Sequence, residues 1–223
     1  MFFRRLCSSA LLLAGMLLET SKALSRQNNG LQPPTNIIVI GGSSGMGKAA
    51  AIACVKRGGK ALIVSRSNEK LAKAAEEIRS HAPPSTSCDS PGGKDPVVET
   101  AVLDATNEDA VIQFVAEKIS PQPTDWNGLV VSAAGKAPHG PLADLPTAST
   151  RELFESKFWS AYHCAKHIGP KLAAGGGIVF VAGVLNRRPG MNCAPLASTN
   201  GALEGLTRAL ALEWGPDLRV NCL

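Results

Sequence analysis

The sequence predicts a single α/β domain in which helices cover both faces of a doubly wound parallel sheet. From Asn36 onward, short aliphatic and β-branched runs alternate with helix-length amphipathic segments, the order typical of β-α-β crossovers. The first run, Asn36–Ile40, passes into a glycine-rich turn that leads directly into a helical segment. The composition, 44% hydrophobic but 4% aromatic, favours close packing of helices on a sheet, and 223 residues are enough for one full core.

Each strand is predicted from a short apolar run, and each helix from an Ala- or Leu-rich segment with a polar face. The strands are predicted at 36–40, 61–65, a segment ending with 100–103, 129–132, 177–181 and 219–221, where a sixth strand begins. The helices are predicted at 45–57, 68–80 with Asn68 as its N-cap, 107–119, 150–172 and 195–214. Residues 81–96 contain four prolines and a glycine pair, which predicts a surface insertion.

The N-terminal region has the pattern of a targeting sequence. Arg4 and Arg5 precede the apolar run from 6 to 18, with no acidic residue before its end. The run is too short for a comfortable transmembrane helix, so we expect no stable membrane span. We interpret residues 1–23 as a signal peptide for the secretory pathway or an organelle, and 24–35 as a linker. The alternative is an incorrect start upstream of a cytoplasmic protein.

Charge, cysteine and histidine patterns argue against several classes of function. The formal net charge is +5 without any run of Lys or Arg, which does not favour nucleic-acid binding but is compatible with an anionic cofactor. The six cysteines are scattered without a C-x-x-C pair, so we expect buried small hydrophobic residues rather than disulfides or zinc ligands. His163 and His167 lie four residues apart, but no Glu or Cys nearby completes a metal site. We therefore predict no metal and a solvated or core-edge histidine pair.

The turn after the first strand predicts a Rossmann-type dinucleotide site. Gly41 permits the tight turn, Gly45 lets a pyrophosphate approach the backbone, and Gly47 lets the helix pack on its strand. The N-terminus of the helix presents free N–H groups to phosphates, and its dipole favours negative charge there. The cofactor site is expected to include these turn residues: Gly41, Ser43, Ser44, Gly45, Met46 and Gly47. The alternative is a structural turn without a ligand.

Arg66, which follows the second strand, favours NADP(H) over NAD(H). An acidic side chain at this place would bind the ribose 2′-hydroxyl, whereas arginine accommodates a 2′-phosphate. Ser43 and Ser44 in the turn support the same preference. The alternative is a solvated surface arginine.

These motifs resemble those of the short-chain dehydrogenases/reductases over residues 36–223. The turn is similar to the T-G-x-x-x-G-x-G pattern of that family, with Ile40 in place of the threonine. Three further similar stretches are 103–106, 132–135 and 205–213 followed by 219–221. The resemblance implies adenine contacts by Asp104 and Ala105. It also implies that Ala133, Ala134 and Gly135 form the loop beside the cofactor.

The catalytic positions depart from the pattern of the family, which uses Ser, Tyr and Lys together with a helix Asn. Residue by residue, these positions fall at Gly183, Leu196, Asn200 and Lys157. Leucine cannot exchange a proton, and the only tyrosine, Tyr162, is not an evident substitute. We single out Lys157 as a surrogate acid or oxyanion-stabilising group. The alternative is a solvent-facing or structurally paired lysine.

The resemblance implies an NADP(H)-binding oxidoreductase that acts on a small carbonyl or alcohol substrate, with weak or altered activity. The alternative is a catalytically inactive pseudoenzyme that binds NADP(H) and acts as a sensor or heteromeric partner. A third alternative is a structural protein with an empty turn. The helices at 150–172 and 195–214 are expected either to form a homo-oligomer or simply to cover the sheet. The family fold continues beyond the sixth strand, so we expect a truncated sequence or a naturally short protein.

Overall fold

The fold was analysed in a computed structural model, which describes residues 35–83, 98–119 and 125–223. The predicted targeting peptide, nearly all of the predicted linker and most of the predicted insertion at 81–96 lie outside these residues. In the described part of the chain, no helix is both long enough and apolar enough to cross a membrane.

The strands form one parallel sheet with the order β3-β2-β1-β4-β5-β6. Their bounds are β1 Asn36–Ile40, β2 Ala61–Ser65, β3 Val98–Val102, β4 Trp126–Val131, β5 Gly177–Phe180 and β6 Arg219–Cys222. This order is that of the doubly wound fold, in which ligands bind outside the carboxyl ends of the strands where the order reverses. Here the reversal lies between β1 and β4. The predicted Rossmann-type α/β fold is therefore confirmed.

The helices follow the predicted places with shifted ends. They are α1 Gly45–Val55, α2 Asn68–Arg79, α3 Glu108–Phe114, α4 Thr147–Phe154, α5 Ser160–Ile168 and α6 Ala194–Trp214. A π-helical turn, Glu155–Trp159, joins α4 to α5, and another, Val115–Ile119, extends α3. The helix predicted at 150–172 thus begins three residues earlier, and it ends at Ile168 before a 3-10 turn, Gly169–Lys171. Proline in this 3-10 turn explains the earlier end, because it lacks the N–H that would continue the α-helix.

Two details of the prediction were wrong at element ends. Ser67, rather than Asn68, caps α2: its backbone is extended and its Oγ accepts a hydrogen bond from the Lys70 N–H at 3.3 Å. Strand β4 begins at Trp126, three residues before the predicted start. The prediction missed these residues because they are aromatic, polar and glycine rather than aliphatic. At both element ends, neighbouring residues could each belong to the element or to the loop before it.

Side chains of the central strands alternate between two cores. Ile38 and Ile40 face a cluster formed with α3, α5 and α6, whereas Ile37 and Val39 face a cluster formed with α1 and α2. The second cluster is aliphatic apart from Cys54, whereas the first also contains Phe114, Trp126 and Phe180. Cysteines contribute to both: Cys164 is buried in the first cluster and Cys54 in the second, and both are free thiols. The expected role of these cysteines as small hydrophobic residues is confirmed for those two.

Helix α1 lies so close to the sheet that only glycine fits at its third residue, Gly47. A Cβ atom there would overlap the carbonyl oxygen of Gly41 and the Oγ of Ser132. Ser132 follows β4, and its hydroxyl donates to the carbonyl oxygens of Ile40 at 3.2 Å and Gly41 at 3.3 Å. The contact fixes the N-terminus of α1 between the carboxyl ends of β1 and β4.

The histidine pair on α5 is joined to α3 through Glu108. The Glu108 carboxylate accepts hydrogen bonds from His167 Nε2 and Lys166 Nζ, each at 2.8 Å, and lies 3.9 Å from His163 Nε2. The sequence did not reveal this partner of the histidine pair, because Glu108 comes from a helix more than 50 residues away. The hydrogen bonds from Lys166 and then His167 lower the pKa of Glu108 from 4.5 to about 2.

We predict that Glu108→Gln lowers the melting temperature at neutral pH but not in strong acid. The lowered pKa means that the carboxylate stabilises the fold above about pH 4.5, and that this contribution is lost as the pH falls towards 2. Thermal unfolding of both proteins between pH 2 and 7 checks this. Glu76→Gln is the matched control, since Glu76 is exposed and forms no ion pair with a described residue. A difference that stays constant with pH would contradict the prediction.

We also predict that Gly47→Ala destabilises the protein by about 1–3 kcal/mol, the usual cost of overpacking. The added methyl group would push α1 away from the Gly41 carbonyl and from Ser132. Chemical denaturation measures the change. Gly205→Ala is the control: Gly205 lies inside α6 with open space around it, so alanine there should stabilise by about 0.4–1 kcal/mol. Equal effects of the two substitutions would show that the contact of α1 with the sheet is not tight.

Candidate functional site

A cavity of about 550 Å³ lies at the carboxyl edge of the sheet, within the usual range for small-molecule and cofactor sites. It extends from the ends of β3 and β2, across the turn after β1, to the loop after β4. Most of the residues predicted to bind a cofactor line it: Gly41, Ser43, Ser44, Gly45, Met46, Arg66, Asp104, Ala105, Ala133 and Ala134. The structure thus brings together residues from four segments that are far apart in sequence.

Two of the predicted residues lie beside the cavity rather than on its wall. Gly47 packs α1 onto the sheet, as its predicted role requires. The Gly135 N–H donates to Ser156 Oγ at 2.9 Å, which holds the loop after β4 against the π-helical turn between α4 and α5. Both glycines therefore shape the cavity without lining it.

The N-terminus of α1 is open to an anion at the centre of the cavity. Ser44 is its N-cap residue, but the Ser44 side chain makes no capping hydrogen bond, and the first turn contains no acidic residue. Gly45 has a φ of +54°, a conformation that favours glycine, and an added Cβ there would meet nothing within 4 Å. The free N–H groups and the dipole of the helix are thus left for a ligand, as phosphate binding requires.

Two cations line the cavity at the end of β2. Arg66 directly follows the strand, and Lys70 lies in the first turn of α2. Neither side chain forms an ion pair with another described residue, and both are exposed. Lys70 was not predicted from the sequence. The available signal was its spacing: it lies four residues after Arg66, and Ser67, the N-cap of α2, lies between them. A doubly charged group at this end would meet two unpaired positive charges.

Asp104, at the end of β3, is the only acidic residue on the wall of the cavity in the described chain. Its Oδ1 accepts hydrogen bonds from the N–H of Thr106 at 3.1 Å and from its hydroxyl at 2.9 Å. The neighbouring Ala105 carbonyl accepts from His163 Nδ1 at 3.3 Å. These bonds fix the turn after β3 and leave the other oxygen of Asp104 available to the cavity.

Ser156 and Ser160, four residues apart along the π-helical turn and α5, complete the wall opposite α1. Their hydroxyls donate to main-chain oxygens of their own helix, Ser156 to Leu153 at 3.2 Å and Ser160 to Ser156 at 2.7 Å. Neither residue was predicted, because nothing in the sequence shows which face of this helix meets the loop after β4.

Lys157 is buried beside the cavity, with 7% of its surface exposed. Its Nζ donates to the carbonyl oxygen of Ala182, which follows β5, at 2.8 Å. Burial lowers the pKa of Lys157, and the partly buried Cys222 thiol opposes that shift. A solvent-facing Lys157, one of the alternatives from the sequence, is therefore wrong, and the structurally paired alternative agrees with the hydrogen bond. The lowered pKa also makes the Lys157 ammonium a stronger acid than an ordinary lysine.

The other three singled-out positions gather around the same strand end. Gly183 has a φ of +123° and is exposed. Leu196 lies in the first turn of α6 and is half-buried. Asn200, one turn further along α6, is buried. Tyr162 is on α5, where it is partly exposed and contacts the rings of Phe158 and Trp159.

The residues present fit a dinucleotide. The open N-terminus of α1 suits a pyrophosphate, and the Arg66–Lys70 pair suits a further phosphate. The turn after β3 offers the Asp104 carboxylate as a hydrogen-bond acceptor. The left-handed Gly45, where an added Cβ would meet nothing within 4 Å, leaves the room that a backbone-bound diphosphate needs.

Curated relatives are oxidoreductases by name. A 3-ketodihydrosphingosine reductase of Bos taurus is 28% identical over 189 residues, which cover 82% of this chain and 53% of that protein. An uncharacterized oxidoreductase of Bacillus subtilis is 30% identical over 181 residues, with 80% of this chain and 59% of that protein covered. The chain thus spans a little over half the length of these relatives.

Solved structures share the fold at lower identity. A short-chain dehydrogenase/reductase from Mycobacterium ulcerans superposes with a TM-score of 0.75 at 24% identity, covering 84% of this chain and 66% of that one. A short-chain dehydrogenase from Shigella flexneri in complex with NADP superposes with a TM-score of 0.73 at 22% identity, covering 87% of this chain and 78% of that one. The sequence profile of the short chain dehydrogenases matches residues 35–223. On this match, the chain belongs to the short-chain dehydrogenase/reductase family.

Proposed function

We propose that this protein is an NADP(H)-dependent oxidoreductase that acts on a carbonyl or alcohol group of a small molecule. The observation that carries the proposal is the cavity itself, in which the open N-terminus of α1 and the cations Arg66 and Lys70 line one continuous wall. NADP(H) differs from NAD(H) by a 2′-phosphate, and this phosphate is the group that two unpaired cations would bind. Names of the relatives support the reaction class, and the NADP complex of the Shigella flexneri neighbour supports the cofactor.

The residues of this chain have separate tasks in the proposed reaction. When bound, the reduced cofactor supplies a hydride to the carbonyl carbon. The N–H groups of α1 hold the diphosphate, and Arg66 and Lys70 hold the 2′-phosphate. Lys157 supplies the proton to the developing alkoxide from its ammonium group, and the resulting neutral amine is reprotonated by solvent. The products are the alcohol and the oxidised cofactor, and the reverse sequence oxidises the alcohol.

The second candidate function is that of a catalytically inactive, NADP(H)-binding sensor or heteromeric partner. It is favoured by the hydrogen bond that ties Lys157 Nζ to the Ala182 carbonyl, and by the absence of a titratable side chain at Gly183 and Leu196. The oxidation of NADPH in the presence of a panel of aldehydes and ketones separates the two candidates. Tight NADPH binding without turnover of any carbonyl would favour the sensor.

The homo-oligomer expected through the helices at 150–172 and 195–214 stays a proposal. Large apolar side chains on these helices are exposed, namely Trp159, Tyr162 and Leu212. The targeting role of residues 1–23 is a proposal as well, since it rests on the sequence pattern alone.

We predict that Arg66→Ala weakens NADPH binding and leaves NADH binding nearly unchanged. A charge-assisted contact contributes about 1.5–3 kcal/mol, so the dissociation constant for NADPH should rise by roughly 10- to 100-fold. Isothermal titration with both cofactors measures the difference. Lys73→Ala is the control, because Lys73 lies on the same side of the sheet but is exposed and paired with Glu69 at 2.7 Å. Equal losses of affinity for NADPH and NADH would show that Arg66 contacts a part of the cofactor that both molecules share.

We predict that carbonyl reduction falls as the pH rises through the lowered pKa of Lys157. Burial favours the neutral amine, and only the ammonium donates a proton, so the rate is highest below that pKa and declines at a lower pH than for an ordinary lysine. Lys157→Met should reduce kcat by about 10²-fold or more and leave NADPH affinity unchanged. The control is Lys118→Met, at an exposed lysine outside the cavity. A Lys157→Met enzyme with full activity and the same pH profile would exclude Lys157 as the proton donor.

A further inference from the structure

The turn after β3 is supported by the sheet on one side only. β3 is the outermost strand at this side of the described sheet, and its pairing with β2 ends with the bond from the Leu103 N–H to the Ser65 carbonyl at 3.1 Å. Beyond that bond, residues 104–106 line the cavity, and no strand of the described chain lies on their outer side. Buried main-chain carbonyls at such a place need partners from outside the sheet. The position of the turn therefore depends on groups that other elements bring to it.

His163 of α5 is such a partner. It is buried, with 9% of its surface exposed, and its Nδ1 lies 3.3 Å from the carbonyl oxygen of Ala105. A carbonyl oxygen only accepts hydrogen bonds, so Nδ1 carries the hydrogen and donates it. The other ring nitrogen, Nε2, lies 3.9 Å from the carboxylate of Glu108. The rings of Trp159 and Tyr162 have their centroids 6.0 and 6.3 Å from that of the imidazole. His163 therefore ties the turn after β3 to α5.

The second histidine of α5, His167, belongs to the same polar cluster but is not bonded to the turn. His167 Nε2 and Lys166 Nζ each lie 2.8 Å from the Glu108 carboxylate. Within the described chain, no hydrogen bond joins His167 to residues 104–106, whereas His163 donates to Ala105. Two histidines on one helix thus face the same carboxylate, and only His163 is bonded to the wall of the cavity.

The turn lies where the proposed cofactor would bring its adenine. The proposed 2′-phosphate site is at the end of β2, and this phosphate is attached to the ribose that carries the adenine. β3 is the neighbour of β2 in the sheet, about 4.8 Å away. Asp104 has one carboxylate oxygen bonded to Thr106, and its other oxygen is available to the cavity. The 6-amino group of adenine is a donor that a carboxylate accepts. Hydrogen bonds have a narrow range of lengths, so the position of the turn decides whether this one forms.

We propose that His163 is a positioning residue for recognition of the adenine. By holding the Ala105 carbonyl, it sets the distance between the Asp104 carboxylate and the 6-amino group. His163 itself does not line the cavity, so it acts through the turn and not by contact with the cofactor. The role explains a polar ring at this buried position of α5, because an aliphatic side chain would deprive the Ala105 carbonyl of its donor. The proposal rests on the proposed function, since it requires that NADP(H) binds with its adenine at this turn.

The test compares NADPH with reduced nicotinamide hypoxanthine dinucleotide phosphate, in which a carbonyl oxygen replaces the 6-amino group of the adenine. We expect the unmodified protein to bind NADPH roughly 10- to 100-fold more tightly than this analogue, because Asp104 accepts a hydrogen bond from the amino group and repels the oxygen. In His163→Leu, the affinity for NADPH should fall about 2- to 10-fold, with little change for the analogue, so the preference narrows by the same factor. Isothermal titration measures the dissociation constants.

Two further variants separate positioning of the turn from a general loss of stability. His167→Leu removes the other histidine beside Glu108 and keeps the bond to Ala105, so it should lower the melting temperature without changing the preference for NADPH. His163→Asn keeps an N–H donor close to the place of the imidazole Nδ1, so it should restore most of the preference that His163→Leu loses.

The outcomes separate the inference from the proposed function. If His163→Leu keeps the full preference for NADPH, or if His167→Leu narrows it equally, the role of His163 is wrong and the cofactor site stands. A narrowed preference that His163→Asn does not restore would assign the effect to packing around the ring, and it would overturn the inference as well. Equal binding of NADPH and the analogue by the unmodified protein has the same consequence, because the turn then does not recognise the amino group. If the unmodified protein binds neither molecule, the proposed function fails, and the inference fails with it.

Discussion

The close contact between α1 and the sheet is the constraint on which the rest of the site depends. Gly47 lies against the Gly41 carbonyl and Ser132, so the first turn of α1 is held between the ends of β1 and β4. Where the strand order reverses, the helices on either side leave a crevice, and the N–H groups of α1 point into it. A side chain at position 47 would move the helix outward and with it the centre of the cavity. The proposed phosphate site therefore depends on a packing requirement.

Positive charge is distributed unevenly along the cavity, so its two ends differ electrostatically. Unpaired cations stand at the end of β2, the helix dipole acts at the centre, and the loop after β4 contributes alanines and main-chain groups. Two lysines outside the cavity are ion-paired, Lys48 with Glu77 at 2.6 Å and Lys60 with Glu99 at 2.9 Å. This distribution would favour one orientation of the proposed cofactor, with its most negative end at β2. Its less charged end then comes to lie towards β5, where Lys157 and Asn200 are.

The sequence predicted the parts of this arrangement that depend on local patterns. Aliphatic runs predicted the strands, and the spacing of Gly41, Gly45 and Gly47 predicted the turn. Both signals are local, because hydrophobic periodicity and glycine conformation depend on a few neighbouring residues. The missed residues depend on how distant helices are rotated. Lys70 and Ser156 reach the cavity only because of the faces that α2 and the turn before α5 present to the sheet. Apart from the spacing of Lys70 from Arg66, a single sequence carries no direct signal for such rotations, and Glu108 was missed beside the histidines for the same reason.

The end of β5 is where stability and function conflict most clearly in this fold. The sheet is otherwise packed in hydrophobic clusters, yet two buried polar side chains, Lys157 and Asn200, stand at one strand end. Lys157 has a single carbonyl partner for its ammonium, and the amide of Asn200 has none among the described residues. Aliphatic residues at both positions would satisfy the core better, since burying polar groups without full hydrogen bonding costs free energy. Because folding alone would favour aliphatic residues there, the polar pair indicates that this strand end has a role beyond stability.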